Sequence, residues 1–247
     1  MSRWKKWWYQ SATGEFVFQH YRVSDPASPR GKRFGYRVPT AIVDKQVQGW
    51  KWFKPSGADA LLYKLPLVLA HPDRWILVTE GEADADAALS RGFLATSHHG
   101  GAGKFTVAQA ESLVRHRGRI ALVADNDPAG ALDVCVRFDR LRDAGIPASR
   151  LRVCEVAPTH PGADLRDHLD AGFRLRDLKR ADLGRLRELR DMAAEAKPSP
   201  GTGSWPDDLT PEERDQIKNW RPQVVRRKQC PTSVRGPPGK SAGLSAS

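Results

Sequence analysis

Cysteine is scarce in this sequence, and its three copies, Cys135, Cys154 and Cys230, lie far apart. Such wide spacing excludes a zinc module, and the odd number argues against a secreted, disulfide-stapled scaffold. Apolar runs are short as well, and none approaches the ~20 residues that a membrane-spanning helix needs. Residues 1–20 are polar and basic, without the apolar segment of a secretory signal. We therefore predict a cytoplasmic protein with no membrane partner.

Acidic residues are few relative to basic ones, since 29 Asp and Glu stand against 40 Lys and Arg, for a formal net charge of +11. This excess makes polyanions, nucleic acid first among them, the expected partners, because neutralising phosphates releases counterions. A merely solvated basic surface is the alternative that charge alone leaves open. The length of 247 residues allows one ordinary domain with an appendage.

Residues 1–70 are predicted to form a small, basic β-type module. They hold all four tyrosines of the chain, and at 15–23 aromatic or β-branched residues nearly alternate with polar ones, as in short antiparallel strands. Interleaved basic and aromatic residues can hold phosphates and stack bases. A thin β module also needs aromatic residues for its core, which is the simpler interpretation. The candidate phosphate-binding residues of this module are Arg33, Lys51 and Lys54.

Residues 71–172 alternate apolar runs with helical patterns. The runs at 75–79, 93–96, 119–124 and 151–156 are the predicted strands. Alternation of strands and helices implies parallel βαβ units with right-handed crossovers. We therefore predict an α/β fold with a doubly wound, mostly parallel sheet flanked by helices.

The clearest helix signal of this region follows the third strand. Asp127 is the expected N-cap and Pro128 the first helical residue, and Gly145 is expected to end the helix. Beyond residue 172 the pattern weakens. A helical extension is predicted at 173–196, and the Pro-, Gly-, Ser- and Arg-rich tail at 197–247 is predicted to be disordered, because it cannot bury enough apolar surface to offset its ordering entropy.

Two of the predicted strands run into acidic residues. Glu80 follows the first strand, and Asp125-Asn126-Asp127 follows the third. Ligands of open α/β sheets bind at the carboxyl ends of the strands, so these carboxylates are expected to share a site. Mg²⁺ is commonly held by one or two carboxylates together with substrate phosphates. A purely structural interpretation is also open, with Asp127 as an N-cap and Asp84 beside a helix dipole.

The order and context of these motifs resemble the Toprim family of nucleic-acid enzymes. Residues 80–87 resemble its first motif, in which a glutamate follows the first strand, and residues 125–130 resemble its Asp-x-Asp motif. Residues 97–103 fall where many members carry a glycine-rich turn. Residues 162–169 resemble the acidic segment that closes the domain in primase-like members. The front segment is similar to the region that precedes Toprim in phage and plasmid primase–helicase proteins.

The resemblance implies a role for each matched residue. Glu80 would act as general acid/base or metal ligand, and Asp125 and Asp127 would hold Mg²⁺, for which Mn²⁺ could substitute. Asp84 and Asp164 would lie close to the same ion or a second one. The implied activity is primer synthesis from nucleoside triphosphates on single-stranded DNA, in the replication of a phage, plasmid or mobile element, with a replicative helicase as a candidate partner.

Two other functions remain open. A metal-dependent nuclease would use the same site with water as the nucleophile, and a non-catalytic adaptor would only bind nucleic acid. Clustered carboxylates argue against the adaptor, because their repulsion costs stability unless a cation neutralises it. The segment 100–104 is not a P-loop, because His98 and Phe105 stand where Walker A needs Gly and Ser or Thr. Lys104 is therefore either a phosphate contact beside a glycine turn or an ordinary surface lysine.

Overall fold

The computed structural model describes residues 4–27, 31–44 and 46–195. All of them belong to the unit Met1–Lys197. The prediction of a disordered tail at 197–247 lies outside the described residues. Within the described ranges, no helix is both long enough and apolar enough to cross a bilayer.

The N-terminal part is an antiparallel β structure, as the alternation of aromatic and polar residues predicts. Its strands are β1 (Trp4–Gln10), β2 (Phe16–Ser24), β3 (Lys32–Pro39), β4 (Ile42–Val43), β5 (Gln46–Val47) and β6 (Trp50–Lys51). Four of them pair in the order β1-β2-β3-β6, and β4 and β5 form a separate two-stranded pair. Trp7, Tyr9 and Phe18 are buried on the face of this sheet that packs against the rest of the chain. Core packing is thus the role of these three aromatic side chains.

A second sheet of five strands forms the centre of the remaining chain. Its strands are β7 (Ile76–Thr79), β8 (Leu94–Ser97), β9 (Ile120–Ala124), β10 (Leu151–Glu155) and β11 (Lys179–Arg180). The helices are α1 (Leu65–Leu69), α2 (Glu82–Leu89), α3 (Val107–Glu111), α4 (Pro128–Asp143), α5 (Leu165–Asp170) and α6 (Leu183–Glu195). The strand order is β11-β10-β9-β7-β8, parallel except for β11. The predicted strands and their mostly parallel arrangement are confirmed.

Helices cover both faces of this sheet. Ile76 and Ile120 belong to an apolar cluster with α1, α3, α4 and α6. Leu77 and Ala121, one residue further along each strand, belong to a second cluster with α2, α5 and the N-terminal sheet. Burial on both faces explains why these strands appear in the sequence as continuous apolar runs. Each fully buried Ile or Leu side chain contributes roughly 1.5–3 kcal/mol to folding.

The ends of α4 follow the predicted signals. Asp127 is the N-cap, and its Oδ1 accepts a hydrogen bond from the Gly130 N–H at 2.7 Å. Pro128 is the first helical residue, and the helix ends at Asp143. Gly145 then takes a φ of +92°, a backbone conformation that favours glycine.

Over residues 173–196, where a helical extension is predicted, the structure is helical only in the second half. Leu175–Asp177 forms a 3₁₀ turn, β11 follows it, and α6 begins only at Leu183. In β11, Arg180 pairs with Cys154 of β10 at the edge of the sheet. A two-residue edge strand has no recognisable pattern of its own, because its hydrogen bonds depend on a partner far back in the chain.

Candidate active site

Four of the five carboxylates predicted at or beside the metal line one pocket. The strands β7 and β9 are neighbours, with Val78 paired to Leu122. Glu80 begins the loop after β7, and Asp125 directly follows β9. These two side chains and Asp84 of α2 line a pocket of about 380 Å³. The parallel arrangement therefore brings carboxylates that are far apart in the sequence to the same edge of the sheet.

Asp127, the remaining predicted carboxylate, lies at the edge of this arrangement. One of its oxygens caps α4, and its side chain is not among the described residues that line the pocket. Its charge nevertheless lies close enough to Glu80 to affect the pKa of that residue. Burial raises the pKa of Glu80, and the charge of Asp127 adds to the rise. The capping role of Asp127 is thus visible in the structure, and its role toward a metal remains a prediction.

Burial and like charge dominate the electrostatics of the pocket. Burial raises the pKa of Asp125 to about 9, and the charges of Glu80 and Asp84 contribute to the rise. Burial likewise raises the pKa of Glu80 to about 7. The Oε2 atom of Glu80 is buried and has no hydrogen-bond partner among the described residues. These carboxyls therefore tend to retain protons near neutral pH unless a cation takes their place.

A second acidic pair at the same pocket is partly compensated. Asp84 and Asp164, the N-cap of α5, share the guanidinium of Arg166. Its Nε donates to Asp84 Oδ1 at 3.1 Å, and its Nη2 donates to Asp164 Oδ2. Burial raises the pKa of Asp84 to about 6, and Arg166 opposes that rise. In the part of the chain that the structure describes, Glu80 and Asp125 have no such hydrogen bond to a basic side chain.

The chemistry of Glu80 and Asp125 fits a magnesium ion. Both offer hard oxygen atoms, one of them buried without a partner, and a divalent cation would relieve their repulsion. Among the residues described, no group of three or more His, Cys, Asp or Glu side chains is arranged to hold a metal ion. An ion held by these two carboxylates would take its remaining ligands from water and substrate phosphates, as Mg²⁺ usually does.

Gly130 allows the Asp-x-Asp turn to fold back tightly on α4. A Cβ atom at this position would lie 2.4 Å from the carbonyl oxygen of Asp125 and 2.8 Å from its nitrogen. Contacts this short are not tolerated between non-bonded atoms, so any other residue would displace Asp125. The glycine of this motif therefore serves the placement of the carboxylate that follows β9.

A buried cation that the sequence analysis missed lies beneath the two strand ends. The Arg137 side chain is fully buried, and its Nη1 donates to the carbonyl of Val78. Its Nη2 donates to the carbonyl of Val123 at 2.8 Å. The Nε atom lies 2.7 Å from Asp133 Oδ2, and His98 Nε2 lies 3.2 Å from Asp133 Oδ1. An Asp and an Arg four residues apart on a helix usually indicate a surface ion pair, so no local signal identified this network.

The N-terminal sheet supplies a basic and aromatic wall of the pocket. The residues of β2 and β3 that line it are His20, Arg22, Lys32, Phe34 and Tyr36. Phe34 is 46% exposed and stacks on the His20 ring, with 5.5 Å between the ring centroids. Exposed rings beside cations can stack bases and hold phosphates. The two-residue period of these positions was a signal that could have identified the wall.

Buried polar contacts fasten the same sheet to α2. Glu82 Oε1 accepts a hydrogen bond from the Tyr9 hydroxyl at 2.9 Å and lies 2.5 Å from His20 Nδ1. Asp86 Oδ2 accepts from Trp7 Nε1 at 3.0 Å. Because α2 follows directly on the loop that carries Glu80, the N-terminal sheet contributes to the orientation of that loop.

The four predicted phosphate-binding residues lie outside the pocket. Arg33, Lys51, Lys54 and Lys104 are exposed, and none is among the described residues that line it. Lys54 is already paired with Asp59, at 2.6 Å. These side chains could meet only nucleic acid that extends beyond the pocket.

Comparison with known proteins gives similarity at the level of structure alone. The sequence matches no protein-family model, and it matches none of the curated proteins. A DnaG catalytic core is similar with a TM-score of 0.52 and 15% identity, over 87% of this chain and 62% of that one. The E. coli primase catalytic core is similar with a TM-score of 0.49 and 15% identity, over 88% of this chain and 61% of that one.

A third similar structure is a DnaG primase catalytic domain bound to single-stranded DNA, with a TM-score of 0.45 and 15% identity, over 85% of this chain and 66% of that one. The chain spans about three-fifths of the length of the first two primase cores. At this identity the likeness concerns the fold alone, and this chain shares the fold of part of a DnaG catalytic core.

Proposed function

We propose that this protein is a Toprim-type, Mg²⁺-dependent nucleotidyl transferase that synthesises primers on single-stranded DNA. The observation that carries the proposal is the pair Glu80 and Asp125, two largely buried carboxyls with raised pKa values at adjacent strand ends. Repulsion between two buried carboxylates costs stability. Carboxyls in a cleft with strongly shifted pKa values are therefore candidates for a functional site. The primase-core fold supports the same assignment.

In this proposal the residues of the pocket divide the chemistry between them. Bound Mg²⁺ would supply charge neutralisation and polarise the phosphoryl oxygens of a nucleoside triphosphate. Glu80 and Asp125 would hold the ion, with Asp84 and Asp127 beside them. In the alternative role of general base, Glu80 would take the proton of the attacking 3′-hydroxyl while Asp125 holds the ion, and its pKa of about 7 in the metal-free pocket suits that role.

The wall from the N-terminal sheet would hold the nucleotide and the template. Arg22 and Lys32 place positive charge on the pocket, and the exposed ring of Phe34 offers a surface on which a base can stack. The net charge of +11 favours a polyanionic template. We place this activity in the replication of a phage, plasmid or mobile element, alongside a replicative helicase, because of the resemblance of the front segment.

The test is primer synthesis by the purified protein. Single-stranded DNA, labelled ribonucleoside triphosphates and Mg²⁺ or Mn²⁺ are incubated with the unaltered protein, with Asp125→Asn, and with the control Asp143→Asn, an exposed carboxylate at the end of α4. We expect metal-dependent oligonucleotides from the unaltered protein and the control only. Shortened template without new oligonucleotides would assign a nuclease instead, and DNA binding with neither product would assign the adaptor.

A further inference from the structure

Arg137 is the largest fully buried side chain among the described residues, and it is a cation. Removing a guanidinium from water is costly unless its donors find partners inside the protein. Here the partners are two backbone carbonyls and one carboxylate, those of Val78, Val123 and Asp133. An apolar side chain could fill the same volume without that cost, so the contacts rather than the volume explain an arginine at this position.

The two carbonyls occupy equivalent places on neighbouring strands. Val78 lies two residues before Glu80, and Val123 lies two residues before Asp125. A single planar group with N–H donors in fixed directions therefore joins the chain just before each of the two carboxylates. The pairing of β7 with β9 ends at Val78 and Leu122, so the guanidinium bridges the two chains where the backbone ladder between them stops.

We infer that Arg137 is a positioning residue, which fixes the relative placement of Glu80 and Asp125 for a divalent cation. The inference rests on the proposed function for its purpose, while its geometry stands on the hydrogen bonds alone. Asp133 holds the guanidinium from the side of α4 through its Oδ2, and its Oδ1 accepts from the Gly103 N–H at 2.8 Å. The guanidinium therefore cannot turn away from the strands without losing its contact with Asp133.

Arg137 could also act through its positive charge, and this effect can be separated from that of its two hydrogen bonds to the carbonyls. Burial raises the pKa of both Glu80 and Asp125, and the Arg137 charge opposes the rise in each case. Lysine would preserve the positive charge but cannot donate in two fixed directions to two carbonyls. The variant Arg137→Lys therefore tests the two hydrogen bonds to the carbonyls while it keeps the charge.

The experiment is a Mn²⁺ titration followed by electron paramagnetic resonance, on the full chain without nucleotide. The variants are Arg137→Lys, Arg137→Met, and the control Arg140→Lys, which replaces an exposed arginine on the same helix. We expect Arg137→Lys to bind Mn²⁺ about 10- to 100-fold more weakly while retaining native circular dichroism, because partners that orient ligands typically matter on this scale. Affinity within twofold of the unaltered protein would overturn the inference.

Amide hydrogen exchange distinguishes failure of this inference from failure of the proposed function. Faster exchange at both 78–81 and 123–126 in Arg137→Lys is expected whether or not metal is present. If the unaltered protein binds no Mn²⁺ but both strand ends exchange faster, the metal-dependent function fails and the positioning stands. If Mn²⁺ binding is lost in Asp125→Asn but normal in Arg137→Lys, the positioning alone is wrong. Should Arg137→Met not fold, Arg137→Lys carries both measurements.

Discussion

Two groups of buried charges in the same domain behave in opposite ways. In the first, Asp133 is held by Arg137 and His98, and although burial opposes its ionisation, these partners keep its pKa below the usual range. In the second, Glu80 and Asp125 lie close together without a basic partner in hydrogen-bonding contact, and their pKa values are raised.

The difference separates charges that serve the fold from charges that serve a ligand. In the closed network, formed by Asp133 with Arg137 and His98, the charge of the carboxylate is compensated by neighbouring side chains, so no external cation is needed. In the open pair, formed by Glu80 and Asp125, the two carboxyls repel each other when ionised. A cation that binds between them relieves this repulsion and is bound more tightly for that reason. Both groups contain buried carboxyls, so burial alone does not distinguish them.

The largest expected effect is on catalysis by the open pair. Asp125→Asn keeps the shape of the side chain and removes the charge. We expect primer synthesis to fall by roughly 10³-fold or more, the scale on which phosphoryl-transfer enzymes depend on a group that stabilises charge. Without metal the same variant should be more stable to urea than the unaltered protein, because the buried Asp125 carboxyl, with a pKa of about 9, must take up a proton on folding at neutral pH and an amide need not. Full activity in this variant would remove Asp125 from the site.

The corresponding change in the closed network should affect stability first. Asp133→Asn leaves the buried charge of Arg137 without its counterion, and we expect a loss of about 3–5 kcal/mol in the free energy of unfolding, measured with urea. The exposed Asp143→Asn on the same helix should change it by no more than about 0.5 kcal/mol. Equal effects of the two variants would contradict the paired state of Asp133.

The pH dependence of stability should distinguish the two groups by sign. Asp125 and Glu80 have folded pKa values of about 9 and about 7, above the usual carboxyl range. Their contribution is present at low pH and is lost as the pH rises through these values, so the metal-free protein should become less stable between pH 5 and pH 9. Asp133 contributes in the opposite sense, above the usual carboxyl pKa, and its share is lost on acidification.

Urea unfolding at pH values between about 5 and 9, with EDTA and with Mg²⁺, measures this dependence. Mg²⁺ should reduce the loss of stability at high pH, because it replaces the protons on the carboxyls. Asp125→Asn should flatten the dependence in EDTA. A metal-free stability that rises across the same interval would show that the two carboxyls are not coupled as the structure indicates.

The smallest expected effect extends the comparison to exposed cations. Lys51 has no ion pair within the described ranges, whereas Lys54 is paired with Asp59. We expect Lys51→Ala to weaken binding of single-stranded DNA and to lower the slope of log K against log salt by about 1. Lys54→Ala should have a smaller effect, because Asp59 already neutralises its charge. Equal slopes for both variants would show that this ion pair opens when DNA binds.

Local sequence signals were sufficient to predict the strand and the helix that position the carboxylates of the pocket. The strand run before Glu80 and the Asp127-Pro128 start of α4 are both present in the structure at the predicted places. Apolar runs and helix caps depend on neighbours within a few residues, so they can be recognised without knowledge of the fold. The short edge strand β11 depends on a distant partner, and the helix predicted over it was wrong.

The sequence by itself therefore determined the strands, the main helix and the two acidic strand ends, because each is a local pattern. Only the tertiary structure decided which charges are paired. Arg137 meets the carbonyl of Val78 across 59 residues of sequence, and Tyr9 meets Glu82 across 73. Such contacts follow from the order of the strands and from what packs over them. A carboxylate beside a strand therefore becomes a structural ion pair or an open site according to the fold around it.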